Sequence, residues 1–305
     1  MSSGVATKSL LKNVWFLAGN GFKYGYVFMH GSRIEDAREG EPEPEYELAE
    51  LVYDFEGDAV VVHGYSLLVD LVEYVVRGVN DLDLSVFTRE ELRKLTKVGV
   101  VNAYMSGVTL PVAHTRHPEI AVDVARENSV RIGIIAERGT VPSRGPFTLL
   151  LEVDGSWLYY DDRRLGEYDS LVCKPGNIKG SCVLVDARGY GNITTAIEEV
   201  YREVSNPEAS YKILTDLYRV SGADSGFVEK GALSDIIVYD LKNSLKAIPI
   251  KTTRHMFTLL SRSQQPDIVF IGGDVFYEFG ENLAIPIVKV NEILKKATSR
   301  DLDSG

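Results

Sequence analysis

Phe227-Val228-Glu229-Lys230-Gly231-Ala232-Leu233-Ser234-Asp235-Ile236-Ile237-Val238-Tyr239-Asp240 ends in a run, Asp235 to Asp240, rich in β-branched and aromatic residues, which reads as a strand. Downstream, Asp267 to Ile271 and Asp274 to Phe279 flank Gly272-Gly273, which predicts a two-residue β-hairpin. A closing helix is predicted over 286–297. The other end of the chain is also β in character. Short alternating runs, Val14-Trp15-Phe16-Leu17 and Tyr26-Val27-Phe28-Met29, surround Gly19-Asn20-Gly21, and Ile34 resumes after His30-Gly31. This predicts a β-meander. Residues 38–50 are acidic and proline-containing and predict a surface loop. A further β-rich stretch, Leu51 to Val62, ends at His63-Gly64.

The middle of the chain is mixed. Thr88-Arg89-Glu90-Glu91 fits a capping box, and Leu92, Leu95 and Val98 follow at helical spacing. Gly107 closes that helix, and Val108 to Ala113 reads as a buried strand. Pro118 suits a first helical turn, Ile120 and Val124 face inward, and Asn128-Ser129 ends the helix before a strand at Val130 to Ala136. Strand–helix–strand alternation favours parallel pairing. Residues 146–187 break the rhythm. Phe147 to Val153, Trp157 to Tyr160, Leu171 to Lys174 and Cys182 to Asp186 all read as strands, with a hairpin at Asp154-Gly155. Helices return at about 193–204 and 207–220.

Composition narrows the function. A net charge of −11 disfavours nucleic-acid and anionic-membrane partners. No apolar run reaches the ~18 residues of a membrane span. Lys8 and Lys12 interrupt any signal-peptide core, so the cytoplasm is the expected location. Cys173 and Cys182, nine residues apart, make no disulfide framework; they read as buried thiols, with a facultative bridge as the alternative.

Several stretches together resemble the amidohydrolase superfamily, in its deaminase and chlorohydrolase branches. Lys12-Asn13-Val14 with His30-Gly31-Ser32-Arg33-Ile34 resembles the family's start, and Phe227 to Asp240 is similar to its "G-x-I-x-x-G-x-x-A-D-L-V-V-x-D" segment. Val269 to Tyr277 resembles its "V-x-V-x-G-x-x-V" hairpin. Ala103-Tyr104-Met105-Ser106-Gly107-Val108-Thr109 and Ala121 to Arg131 resemble the approaches to its second and third barrel strands. The resemblance implies an α/β fold: a composite β-sandwich from residues 9–64 and 234–285, a (β/α) barrel-like domain over 65–233, and a C-terminal helix and tail over 286–305. A full barrel takes ~250 residues, so 65–233 implies a shortened or eroded one.

The resemblance also implies a divalent metal at the barrel mouth, activating water for attack on a carbon–nitrogen bond, with an Asp on the last strand accepting the proton. The first ligands are a His-x-His pair. Here those positions fall on Val69 and Leu71, which cannot ligate a metal. The later histidine ligands belong to the fifth and sixth strands, and no histidine lies between His117 and His255. The expected protein is therefore amidohydrolase-like but catalytically degenerate, without a cofactor. It would act as a binding, regulatory or structural subunit, alone as a homo-oligomer, beside an active paralogue, or with a small-molecule ligand. The alternative is an active hydrolase of carbon–nitrogen bonds with a rebuilt site, for which His114 and His117 in H-T-R-H are the metal candidates and a hard divalent cation the cofactor. His63 and Lys174 are the candidate pocket residues, each with a plainer reading: His63 packed at the junction of the two domains, Lys174 facing solvent at a strand end. His30 reads as a turn residue and His255 as a partly buried helix residue. Gly189-Tyr190-Gly191-Asn192 offers amides for phosphate or simply a helix start, capped by Thr195 to Glu198.

Overall fold

A computed structural model describes residues 6–76, 84–141, 147–178, 180–242, 252–262, 265–283, 285 and 292. Nine strands form one hydrogen-bonded sheet. From the N-terminal part come β1 (Lys8–Ala18), β2 (Gly21–His30), β3 (Arg33–Glu39), β4 (Leu51–Asp54) and β5 (Ala59–His63). From the C-terminal part come β14 (Ile236–Asp240), β15 (Ile268–Ile271), β16 (Asp274–Glu278) and β17 (Glu281–Asn282). The expected strand at 235–240 and the hairpin about Gly272-Gly273 are both present. β14 pairs antiparallel with β5, Ile236 opposite His63, so the two ends of the chain meet in mid-sheet.

β1 serves two parallel partners. Ser9 to Lys12 lie opposite β4, and Trp15-Phe16 opposite β5. The switch falls at Asn13, a bulge with φ of 56° whose side-chain amide donates to Asp54 at 2.8 Å. Asparagine tolerates this left-handed conformation, and a bulge here lets the sheet change direction. The two motifs that carry the resemblance then bind each other. Ile34 N–H donates to the Ala232 carbonyl and Gly231 N–H to the Ile34 carbonyl, both at 2.8 Å. The far turns of the sheet also touch, since a Cβ on Gly273 would lie 2.0 Å from the Gly31 carbonyl oxygen. The nine strands share one hydrogen-bonded sheet with its turns in contact, and an apolar cluster including Val14, Phe16, Val27, Met29, Ile236 and Phe270 fills one of its faces.

The second sheet holds β6 (Ser66–Leu68), β7 (Leu110–His114), β8 (Ile132–Glu137), β9 (Thr148–Asp154), β10 (Trp157–Tyr160), β11 (Arg163–Glu167), β12 (Val172–Cys173) and β13 (Leu184–Asp186). Its order is β11-β10-β9-β8-β7-β6-β13-β12. The six strands from β9 to β12 in that order run parallel. Only β10 runs the other way, pairing antiparallel with both β9 and β11. The helices are α1 (Val72–Val76), α2 (Arg89–Met105), α3 (Pro118–Asn128), α4 (Tyr168–Leu171), α5 (Ile193–Val204), α6 (Pro207–Ser221) and α7 (Thr253–Leu260). Thr88 and Glu91 form the expected capping box on α2.

The strand order is that of a partial barrel. β6 lies between β7 and β13, as the first strand of a closed barrel lies between the second and the last. β13 thus takes the last place, β12 the seventh, and β7 to β9 the second to fourth. An antiparallel hairpin, β10–β11, stands where the fifth and sixth strands would run. A hairpin needs only a short turn, whereas each parallel crossover needs a dozen residues or more.

Local expectations failed in three places. Leu171 to Lys174 is not one strand: α4 occupies 168–171 and β12 spans only Val172–Cys173. β11, reading Arg-Arg-Leu-Gly-Glu, lacks the apolar alternation that would have announced it. The cap of α5 is Asn192, whose side chain accepts from Thr194 N–H at 3.0 Å, not Thr195 with Glu198. The closing helix predicted over 286–297 lies outside the described residues, apart from Ile285 before it and position 292.

Buried polar contacts tie the two sheets together. His63 Nε2 lies 2.9 Å from Asp224 Oδ2, and His63 Nδ1 lies 2.9 Å from the Gly64 carbonyl. Asp224 also accepts from Leu233 N–H at 2.6 Å. Beside it, Arg131 Nε donates to Asp235 Oδ2 at 2.6 Å, and Gly272 N–H donates to Asp235 Oδ1 at 2.8 Å. The Tyr218 ring packs edge-on against His63, and its hydroxyl meets Thr109 Oγ1 at 2.8 Å.

Candidate functional site

In parallel α/β sheets, ligands gather at the carboxyl ends of the strands. Here that edge carries Asp70 just past β6, His114 at the end of β7, Glu137 at the end of β8 and Asp186 at the end of β13. Arg188 follows Asp186 and grips it with two bonds, Nε to Oδ1 at 2.9 Å and Nη2 to Oδ2 at 2.8 Å. That bidentate bond, together with the nearby charges of Asp186, Tyr168 and Asp70, raises the Arg188 pKa against the effect of its partial burial.

His114 stands between two clefts. One, of about 610 Å³, is lined by His114, Arg116, Glu119, Glu137, Thr140 and Arg188 among others. The second, of about 430 Å³, lies against His114, Val153, Gly155, Ser156, Tyr168 and Asp169. The Tyr168 hydroxyl is 3.4 Å from His114 Nδ1. Partial burial lowers the His114 pKa, and the Arg188 charge lowers it further. Asp186 and Glu73 oppose this without reversing it, so the environment favours the neutral imidazole. A proton-NMR titration of the full chain should find His114 titrating below the usual histidine value of 6.5; a midpoint above that value would contradict this geometry.

Val69 and Leu71, where the resemblance would put the first metal ligands, belong to the apolar core and are 2% and 1% exposed. The Val69 amide donates to the Val112 carbonyl at 2.8 Å. Leu71 is pressed by α2: a Cβ on Gly99 would meet the Leu71 carbonyl oxygen at 2.2 Å. Among the described residues no three His, Cys, Asp or Glu side chains converge as metal ligands. Among the described residues, Val69 and Leu71 offer no donor atom to the divalent metal that the resemblance implies.

The other sequence candidates scatter. His117 caps the start of α3 and lies 3.9 Å from Glu119, while His114 turns to Tyr168. They do not act as a pair, and replacing both by alanine should leave the melting temperature nearly unchanged. A fall of many degrees in differential scanning calorimetry would contradict that placement. His63 is wholly buried in its bond to Asp224, so it offers nothing to a cleft and takes the junction role instead. Lys174 is exposed just past β12. His30 ends β2 beside the Gly31 turn, and His255 sits partly buried on α7. The start of α5 spends its first free amide on Asn192 rather than on a ligand. Sequence reasoning missed Asp186, Arg188 and Tyr168. The signal for Asp186 was present: an acidic residue closing the last strand of the domain, Val183-Leu184-Val185-Asp186.

The sequence matches no protein-family model and no curated protein. Solved structures do match in fold. An adenosine deaminase from Xanthomonas campestris with bound zinc aligns at a TM-score of 0.69 and 9% identity, covering 96% of this chain and 98% of that one. The atrazine chlorohydrolase TrzN from Arthrobacter aurescens TC1, complexed with zinc, aligns at 0.67 and 9% identity, covering 95% and 99%. An amidohydrolase from a Sargasso Sea environmental sample aligns at 0.68 and 12% identity, covering 97% and 99%. The likeness is one of fold, shared with a deaminase, a chlorohydrolase and an amidohydrolase. Among the described residues no helix is long and apolar enough to cross a membrane.

Proposed function

We propose that this chain keeps the amidohydrolase frame without its metal chemistry and works by binding, as a regulatory or structural subunit or a small-molecule sensor in the cytoplasm. The observation that carries the reading is the pair Val69 and Leu71. Both are buried aliphatic groups, packed in the core and braced by α2, where the first imidazole ligands would have to point into the mouth. The hairpin β10–β11 supports it, because it replaces the strands from which the later histidines would come. A composite sandwich of N- and C-terminal segments belongs to the same reading, as does assembly with further copies or with an active paralogue.

Asp186 favours a second reading, an active hydrolase of carbon–nitrogen bonds. It closes β13, in the last-strand place where the resemblance puts a proton-accepting carboxylate. Its two oxygens are already engaged by Arg188. The two readings separate in a thermal-shift experiment on the full chain. Chelator treatment, or addition of zinc, manganese or magnesium, should leave the melting temperature unchanged to within about 1 °C. A metal-dependent rise of several degrees, as mass action demands of a tight native-state ligand, would overturn the binding reading in favour of the hydrolase.

A further inference from the structure

We infer that the two clefts meeting at His114 form one binding site for a small zwitterion with an apolar body, an inference that rests on the metal-free binding role above. The polar cleft holds both signs of charge in unspent form. Among the described residues, Arg116 has no carboxylate partner and Glu137 no cationic one, and both line this cleft. Arg188 adds to the positive side. Its five N–H groups include two committed to Asp186, which fix the guanidinium plane and leave three donors. Such a fixed fork suits a carboxylate, and an unpaired carboxylate in the same cleft suits an ammonium.

The second cleft supplies the rest. Val153, the Gly155 backbone and the Tyr168 ring give it an apolar lining, with Asp169 at its rim. The His114 and Tyr168 rings stand edge to face, their centroids 6.1 Å apart, and His114 is common to both clefts. A neutral imidazole adds no charge to this wall, so the apolar body of a ligand can pass it into the niche while the charged head stays between Arg116 and Glu137. A purely anionic ligand would meet Glu137 and Glu119. A purely cationic one would meet two guanidinium groups. Only a molecule carrying both charges satisfies both sides.

Isothermal titration calorimetry of the full chain with four probes tests this: L-phenylalanine, 3-phenylpropanoate, 2-phenylethylamine and glycine. Phenylalanine should bind at least tenfold more tightly than the other three. Arg116→Ala should weaken phenylalanine at least tenfold and leave 2-phenylethylamine unchanged or improved. Glu137→Gln should do the same with 3-phenylpropanoate as the unaffected probe. Both residues are on the surface, and unchanged melting curves would confirm that the variants fold. Equal binding of phenylalanine and 3-phenylpropanoate, or of phenylalanine and glycine, would overturn the inference, as would no binding of any probe. The metal-free role fails separately, through the metal-dependent melting described above.

Discussion

Asp224→Asn should cost about 3–5 kcal/mol of folding stability, because it leaves the buried His63 ring without its anionic partner. The pair is 0% and 1% exposed, so water cannot take over the lost contact. Both nitrogens of His63 face acceptors, and asparagine would offer an amide that can serve only one hydrogen-bonding pattern at a time. Asp224 also anchors the Ser225 and Leu233 amides, so the change loosens the segment leading into β14. Denaturant unfolding of the two proteins measures the difference. The double variant His63→Gln with Asp224→Asn should lose less than the sum of the single losses, since the pair acts as a unit. A single variant within about 0.5 kcal/mol of the parent would show the pair to be dispensable.

The same pair sets a pH dependence. Burial alone would raise the Asp224 pKa. The hydrogen bond and charge of His63, with the Leu233 and Ser225 amides, outweigh burial and bring it below the usual 3.8. The unfolded chain therefore takes up this proton first as pH falls. The stabilisation is complete above the unfolded value and drains away as pH drops through it toward the folded one. Asp224→Asn should lose that component of acid sensitivity, visible as a shallower fall in stability below about pH 4.

Gly99→Ala should destabilise the chain by about 1–3 kcal/mol, although alanine is the better helix former by about 1 kcal/mol. The added methyl would sit 2.2 Å from the Leu71 carbonyl oxygen and 2.6 Å from its Cα. Those are backbone atoms and cannot swing aside, so α2 or the segment after β6 must move. The consequence reaches the candidate site, because Asp70 and Leu71 belong to that segment. Calorimetric melting of Gly99→Ala, beside a control such as Lys97→Ala on the same helix, isolates the close approach. A Gly99→Ala protein more stable than the parent would mean that α2 does not press on Leu71.

Much of the architecture was legible in the residues. Alternation and glycine turns located β1 to β3 and the hairpin β15–β16, because a strand with one face on a core must alternate. The box at Thr88 and Glu91 marked the start of α2 because its chemistry is local. The positions Val69 and Leu71 came from the resemblance, and both side chains lie in the core. What sequence could not supply was non-local. β11 is short, polar and held by pairing with β10, so its strand character comes from its neighbour. Asp224 lies in a loop, 161 residues from His63, and nothing in either local context announces the bond. The site residues Tyr168 and Arg188 come together only because β13 returns to lie beside β6 across the whole domain.

Elemental analysis of the purified full chain by inductively coupled plasma mass spectrometry addresses the central proposal, that buried aliphatic side chains stand in the places of the metal ligands. The account predicts zinc, iron, manganese, nickel and cobalt all far below one atom per chain, before and after incubation with each ion and desalting. One tightly held atom per chain, surviving desalting, would contradict it.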